Sequence, residues 1–293
     1  MALPAHFGRF TAIALAGFLA VLSTACTDAP GEGPADSPAK PPPIADPKPP
    51  ESGRGGMTGL PLSAYQANDQ DAVKEIRARN ALIVSCMRRA GYTGFTGDGL
   101  QAARAPDDAT ALPAGGWGYL GAEAAATQGF HPPKRPRPTT GPAAGSGEAY
   151  DGTRVDCDRQ AAERIGAPPG AGAELIGRLF DESIGATGRD GRVVAATKEW
   201  SACMTAAGFR ADDPAALAER FRGAPETTPA ELATARADAD CTARVNLAGI
   251  WFAVLAGYQR QQIERNAQAL TAHQEAVRAQ EAKLAQLLAG EGS

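Results

Sequence analysis

The sequence predicts a mainly α-helical domain that is built on two related helical units, held by disulfide bonds and completed by a long C-terminal helix. Three observations support this fold class. Apolar residues recur at helical spacing in several segments, one cysteine-containing motif occurs twice, and the stretch after Pro229 contains no proline as far as Leu288. Such periodicity is typical of helices that turn one apolar face towards a shared core.

Residues 1–25 have the features of a secretory signal peptide. A weakly basic start with His6 and Arg9 precedes an apolar segment from Phe10 to Leu22, and small residues follow it. This apolar segment is too short to form a stable membrane span. We therefore expect the mature chain to leave the cytoplasm.

The stretch LSTAC at residues 22–26 resembles a bacterial lipobox, in which the cysteine is acylated before the signal peptide is cleaved. The resemblance implies that Cys26 becomes the N-terminal residue and carries acyl chains such as palmitate. The protein would then be anchored to membrane lipid on the extracytoplasmic face. The alternative is that Cys26 forms half of a disulfide in a plain secreted protein.

Residues 26–58 are rich in proline and poor in apolar residues, and they predict a disordered, lipid-anchored tether. Thirty residues of such a chain reach at most about 90 Å. A tether of this length would hold a folded domain away from the membrane surface. The helical domain is expected over residues 59–257.

The first predicted helix of this domain starts near Asn68 and has one apolar face. Its charged residues lie elsewhere around the helix, as expected of an amphipathic helix with one side against a core. The apolar residues at helical spacing are Val73, Ile76, Ile83 and Met87.

The segment over residues 93–150 is dense in glycine, alanine and proline, and it predicts loops around one short helix from Gly121 to Gln128. A helix is then expected after Cys157 as far as about Ile165, followed by a short helix over residues 173–184 and another over residues 191–209. The expected order is therefore a series of short helices that are separated by glycine and proline.

Two further helix starts are marked by N-cap and proline residues. Asp213 precedes Pro214, and Thr228 precedes Pro229, with Glu231 in the position of a capping glutamate. If the helix that begins at Pro229 ran unbroken for about 60 residues, it would span about 90 Å. Only Gly249 and Gly257 interrupt its helix-favouring residues.

A motif of eight residues occurs twice, as SCMRRAGY at residues 85–92 and as ACMTAAGF at residues 202–209. Glycine takes the left-handed conformation that favours the end of a helix, so Gly91 and Gly208 are predicted helix ends. The aromatic residue after each glycine would fold back on its helix. Met87 and Met204 are interpreted as core residues that fill irregular gaps.

The chain has five cysteines, and assigning Cys26 to a lipid leaves four for two disulfides. Asp-Cys pairs at residues 156–157 and 240–241 extend the repeat, so each unit contains two cysteines. We predict the pairs Cys86–Cys157 and Cys203–Cys241, each contributing about 4 kcal/mol in the chain-entropy model. A redox-active pair is disfavoured because the sequence contains no Cys-x-x-Cys.

Residues 258–293 form the predicted C-terminal extension of the long helix. Ile263, Leu270, Val277 and Leu284 recur every seven residues, which is the spacing of one row of a coiled coil. Two interpretations remain open. Either this row packs on the protein's own domain, or the helix projects and meets the helix of an envelope protein partner.

No motif in the sequence indicates catalysis. His131 and His273 are far apart and lack metal-ligand spacing, and the sequence has no phosphate-binding loop, Gly-x-Ser-x-Gly or His-Glu-x-x-His. We therefore predict a protein that is not an enzyme and that has no catalytic, cofactor-binding or metal-binding residue. The formal net charge of −4 argues against nucleic acid as a partner.

Taken together, these features resemble a family of uncharacterised actinobacterial cell-surface lipoproteins. The resemblance covers roughly residues 59–290 and is carried by GLPLSAY at residues 59–65, by the twice-used Cys-Met motif and by the long C-terminal helix. It implies a location at the cell membrane, lipid-anchored on its extracytoplasmic face, and it supplies no catalytic residue.

The expected function is a non-catalytic binding or accessory role in the cell envelope. One alternative is a small-ligand-binding or sensing lipoprotein that serves a transporter, with a pocket lined by Trp117, Trp200 or Trp251. A second alternative is an envelope hydrolase, which would need His131 or His273 to meet a carboxylate or hydroxyl in a cleft.

Overall fold

The computed structural model describes residues 40–51, 53–66, 69–97, 99–100, 121–131, 147–167, 170–222, 224 and 226–290, and these residues lie in one structural unit. They form a mainly helical domain in which the described residues include no strand. A 3₁₀ turn spans Pro61–Tyr65. The α-helices are α1 Gly53–Thr58, α2 Asp69–Arg89, α3 Ala122–Thr127, α4 Glu148–Ile165, α5 Gly170–Arg189, α6 Gly191–Ala206, α7 Pro214–Arg222, α8 Pro229–Val245, α9 Leu247–Arg265 and α10 Ala267–Gly290.

The first helical pair consists of α2 and α4, which pack against each other and are joined by the disulfide Cys86–Cys157. Met87 and Cys157 are almost completely buried in the core of this pair. Helix α4 begins at Glu148, so Cys157 lies in the middle of the helix and not near its start as the sequence predicts. The two helices therefore contact each other over more of their length than expected.

The second helical pair consists of α6 and α8, which are joined by the disulfide Cys203–Cys241. Cys241 lies in the last part of α8, again later than the predicted position near a helix start. Trp200 and Met204 are fully buried between the helices of this pair. Both disulfides are the ones that the internal repeat predicts.

The Cys-Met helices of the two pairs end in the same way. Gly91 has φ +98° and Gly208 has φ +91°, and both take the left-handed conformation. The N–H of Tyr92 donates to the carbonyl of Met87 at 3.0 Å, and the N–H of Phe209 donates to the carbonyl of Met204 at 2.9 Å. These bonds define a Schellman cap at each site. The predicted role of both glycines is confirmed.

Helices α8, α9 and α10 replace the single long helix that the sequence permits after Pro229. The chain breaks at Asn246, which is left-handed with φ +52°, and again at Asn266. Asparagine tolerates the left-handed region better than most residues. Gly249 and Gly257, the two residues expected to interrupt the helix, lie inside α9. Helix α9 continues through residue 258, so the predicted boundary between the helical domain and the C-terminal extension lies inside a helix.

The N-terminal strap, defined here as residues 40–48, is an ordered extended segment that lies against α6 and α9. Pro42 is buried, and Ile44 packs in a cluster with Val193, Val254 and Tyr258. The prediction of a disordered tether as far as residue 58 is therefore wrong for the strap and for α1. Composition indicates how few apolar groups a segment has, but it does not reveal the surface on which they lie.

Helix α10 packs along the domain and contributes residues to two apolar clusters. Leu270 joins Leu62, Ile176 and Leu179 in one of them, while Leu284 joins the core of the first helical pair. The remaining members of the predicted heptad row, Ile263 and Val277, are half-buried. Of the two interpretations of the row, the structure shows packing on the protein's own domain.

Candidate functional site

The predicted lipidation site Cys26 and the predicted signal peptide at residues 1–25 lie outside the described residues, as does Trp117. The four remaining cysteines all form disulfides, so none of them is a free thiol. The strongest chemical constellation among the described residues lies on the buried face of α8, in the second helical pair.

Glu231 lies at the start of α8 and is fully buried. Thr228 caps the helix by accepting a hydrogen bond from the Glu231 N–H at 3.1 Å, as predicted from the sequence. The Glu231 carboxylate instead binds the segment after α3. Its Oε1 accepts from the Phe130 N–H at 2.8 Å, and its Oε2 lies 3.2 Å from His131 Nε2, an ion-pair distance without hydrogen-bond alignment.

The segment after α3 can approach the carboxylate because Gly129 has no side chain. Gly129 has φ +64°, and a Cβ there would lie 2.5 Å from Glu231 Oε1. Thr227 fixes the same segment by donating its hydroxyl to the carbonyl of Gln128 at 3.1 Å. The side chain of His131 is 16% exposed. The arrangement therefore presents an imidazole at the surface with a buried carboxylate behind it.

Asp238 lies two helical turns after Glu231 on α8 and is also buried. Its Oδ1 accepts a hydrogen bond from Trp200 Nε1 at 2.9 Å, and the Thr242 hydroxyl lies 3.4 Å away. The other oxygen, Oδ2, has no hydrogen-bond partner. Burial disfavours the ionised form more than these bonds favour it, and it raises the pKa of Asp238 to about 7.

Asp238 is not placed to act on a solute, because it is only 1% exposed. Its role in the structure is to accept the indole N–H of Trp200, since a buried tryptophan usually needs such an acceptor. Sequence reasoning missed this contact because the two residues lie on different helices and 38 positions apart.

His273 serves a structural contact elsewhere in the domain. It lies on α10, is 7% exposed, and its Nε2 is 3.1 Å from the backbone carbonyl of Tyr65. Its ring leaves no room for a side chain at Gly172 on α5. The two histidines therefore belong to separate sites. Among the residues that the structure describes, no three His, Cys, Asp or Glu side chains converge to hold a metal ion.

The two described tryptophans do not share a binding pocket. Trp200 is fully buried in the core of the second helical pair, and its indole N–H is bonded to Asp238. Trp251 is half-buried on α9 and packs against different apolar clusters, close to the strap and to α1. Trp200 and Trp251 therefore lie in separate apolar clusters.

Fold and disulfides define the class of this protein as a disulfide-linked, mainly helical domain. Within the described ranges, no helix has both the length and the apolar character that crossing a membrane requires. No protein-family model, curated protein or solved structure matches the chain. The resemblance to a lipoprotein family therefore rests on the sequence motifs alone.

Proposed function

We propose that this protein is a lipoprotein of the cell envelope, anchored on the extracytoplasmic face through acylated Cys26, with a non-catalytic binding or accessory role. The observation that carries the proposal is the pair of disulfides, Cys86–Cys157 and Cys203–Cys241. Structural disulfides persist in oxidising compartments and are rare in the cytosol of most organisms. They agree with an exported chain whose first residues resemble a lipoprotein signal peptide.

The accessory role is supported by how the helices are held. Each disulfide joins two helices through one almost fully buried cysteine, Cys157 at 1% or Cys241 at 2% exposed, and one half-buried cysteine, Cys86 or Cys203. The domain is therefore a cross-linked helical body that presents its outer helix faces. The heptad row of α10 is already used within the domain, so a partner would bind another face of that helix or another helix.

The proposal is tested on protein extracted from its native membrane. Mass spectrometry of the N-terminal peptide should show acyl chains on Cys26, and a Cys26→Ser variant should no longer fractionate with the membrane. An unmodified N-terminal peptide in membrane-extracted protein would contradict lipid anchoring. Crosslinking in intact cells should then link the domain to an envelope protein, and the absence of any crosslinked partner would contradict the accessory role alone.

One contact favours a second candidate function, an envelope hydrolase. His131 Nε2 lies 3.2 Å from the buried carboxylate of Glu231, and a small rotation that aligned the two groups would make the base-and-orienter part of a nucleophilic site. This function predicts hydrolysis of an ester or amide substrate that is lost in a His131→Gln variant of unchanged helicity. The main proposal predicts no such hydrolysis by the parent protein or by the His131→Gln variant.

A further inference from the structure

We propose that the surface of α9 between Gly249 and Gly257 is a binding site for an extended proline-rich chain. The protein's own strap occupies this site as a latch, which means a bound segment that opens transiently. The inference goes beyond the proposed function, because it holds whether or not Cys26 carries a lipid. It rests on three independent features of the strap and of the helices beneath it.

Side-chain donors meet the backbone carbonyls of the strap along its length. Proline has no N–H, so a proline-rich chain cannot form a ladder of its own and its carbonyls need donors from outside. Grooves that bind polyproline segments exploit such a chain because it is already extended and loses little entropy on binding. The donor and acceptor pairs are Gln261 Nε2 to Lys40 O at 3.0 Å, Arg192 Nη1 to Pro42 O at 2.8 Å, and Asn246 Nδ2 to Pro47 O at 2.6 Å.

Two glycines of α9 make room for the strap. A Cβ at Gly257 would lie 2.5 Å from Pro42 Cγ, and a Cβ at Gly249 would lie 2.8 Å from the Pro47 carbonyl oxygen. Neither glycine has a positive φ, so the backbone of α9 does not require them. Glycine inside a helix costs about 1 kcal/mol relative to alanine. Close approach of the strap accounts for Gly257, and at Gly249 a Cβ would meet both the strap and the side chain of Asn246, which donates to the strap.

The central donor is held in place before the strap binds. Asp190 accepts from Arg192 Nε at 2.8 Å and from Nη2 at 2.7 Å, which leaves Nη1 for the Pro42 carbonyl. Tyr258 donates its hydroxyl to Asp190 Oδ2, the oxygen that also accepts from Arg192 Nη2, at 3.2 Å. Beside this network Ile44 enters an apolar cluster. The hydrogen bond from Arg192 fixes the register of the strap on the helices, and the packing of Ile44 in the apolar cluster adds affinity.

The latch changes which residues are bound to the helical domain. Residues 40–48 contact α6 and α9, whereas the sequence prediction of a tether up to residue 58 leaves them free.

The test compares two substitutions in the full chain. Gly257→Ala places a methyl group where the Pro42 ring lies, and Gly177→Ala adds the same methyl to α5, where nothing lies within 4 Å. The readout is the rate of proteinase K cleavage after Ile44, mapped by mass spectrometry, with helicity followed by circular dichroism. Cleavage at a transiently open site tracks the open population, so a latch weakened by about 1.4 kcal/mol is cleaved about ten times faster.

We expect Gly257→Ala to be cleaved about ten times faster than the parent at unchanged helicity, and Gly177→Ala to be cleaved like the parent. Pro42→Gly provides a second test that leaves every helix untouched, because it removes the ring from the strap itself. It should also accelerate cleavage after Ile44. Parental cleavage rates in both Gly257→Ala and Pro42→Gly would overturn the latch.

Discussion

The two helical pairs are joined by different polar contacts. In the first pair, Arg79 on α2 binds Asp158 on α4 through two bonds of 2.9 and 2.7 Å, and both side chains are more than 40% exposed. In the second pair, Trp200 on α6 binds Asp238 on α8 in the interior. One contact is a solvated ion pair, while the other places a carboxyl group inside the core.

The difference follows from the residues at matching positions of the repeat. Three residues before the cysteine of the Cys-Met motif, the first pair has Ile83 and the second has Trp200. Three residues before the other cysteine, the first pair has Arg154 and the second has Asp238. An isoleucine needs no polar partner in a core, whereas a buried indole does. The buried Trp200 of the second pair therefore needs a hydrogen-bond acceptor, and Asp238 provides it.

Their shared features lie in the framework and not in the interior. Both pairs keep the disulfide, the buried methionine and the Schellman cap with an aromatic residue after the glycine. Covalent links and caps depend on a few residues at fixed spacing, while a core can be repacked with different side chains. The comparison predicts equal responses where the framework is changed and opposite responses where the acids are changed.

The largest effect is expected from the disulfides. Replacing Cys86 and Cys157 by alanine opens a loop of 71 residues, and replacing Cys203 and Cys241 opens one of 38. In the chain-entropy model each double substitution lowers the free energy of unfolding by about 4 kcal/mol. Urea unfolding of the two variants against the parent measures this. A loss below about 1 kcal/mol in one variant alone would break the equivalence of the pairs.

The next effect is the pH dependence of Asp238→Asn. In the parent the folded pKa of about 7 exceeds the ordinary 3.8, so the folded state keeps a proton that the unfolded state releases. The contribution of this group to stability therefore falls as pH rises from about 4 to 7. Near pH 8 the variant should be more stable than the parent, by on the order of 3 to 4 kcal/mol.

Near pH 3 the same two proteins should differ little, because the parent carboxyl group is then mostly protonated in both states. Denaturant unfolding across this pH range provides the measurement. A stability difference that does not change with pH would show that the pKa of Asp238 is the same in the folded and unfolded states, and it would contradict the raised pKa.

The helix caps should respond alike in the two pairs. Gly91→Ala and Gly208→Ala each force a left-handed residue with a Cβ, and nothing lies within 4 Å of either site to add a clash. Each should lower stability by about 1 kcal/mol. Gly177→Ala, in the interior of α5, should instead raise stability through helix propensity. Thermal unfolding of the three variants measures these shifts, and clearly unequal losses at the two caps would contradict the shared framework.

The smallest effect is expected from Asp158→Asn. The hydrogen bond from Arg79 lowers the pKa of Asp158, so its contribution is present above the ordinary value of 3.8 and is lost as pH falls through the lowered pKa. Because both partners are well exposed, the loss at neutral pH should stay below about 1 kcal/mol. Asp158→Asn should therefore lower stability at pH 8, whereas Asp238→Asn should raise it. A stabilising effect of Asp158→Asn at pH 8 would contradict the comparison of the two pairs.

Local signals in the sequence predicted much of the framework. The starts at Pro214 and Pro229, the helix ends at Gly91 and Gly208 and both cysteine pairs depend on neighbouring residues or on the repeat, and the structure has them all. Helix existence was also predicted more reliably than helix length, because propensity alone did not reveal that α4 begins before Cys157.

Contacts between distant segments were not predictable in this way. The break at Asn246 coincides with its hydrogen bond to Pro47, 199 positions earlier in the chain. The approach of His131 to Glu231 depends on Gly129. The strap packs on α9 because two helix glycines leave space for it. In each case the cause lies on a surface that forms only after folding.

The most direct test of the two-pair account is disulfide mapping of the protein purified from its native cells and digested without reduction. The account predicts linked peptides that contain Cys86 with Cys157 and Cys203 with Cys241, and no others. Free thiols at these four residues, or a peptide that links a cysteine of one pair to a cysteine of the other, would contradict it.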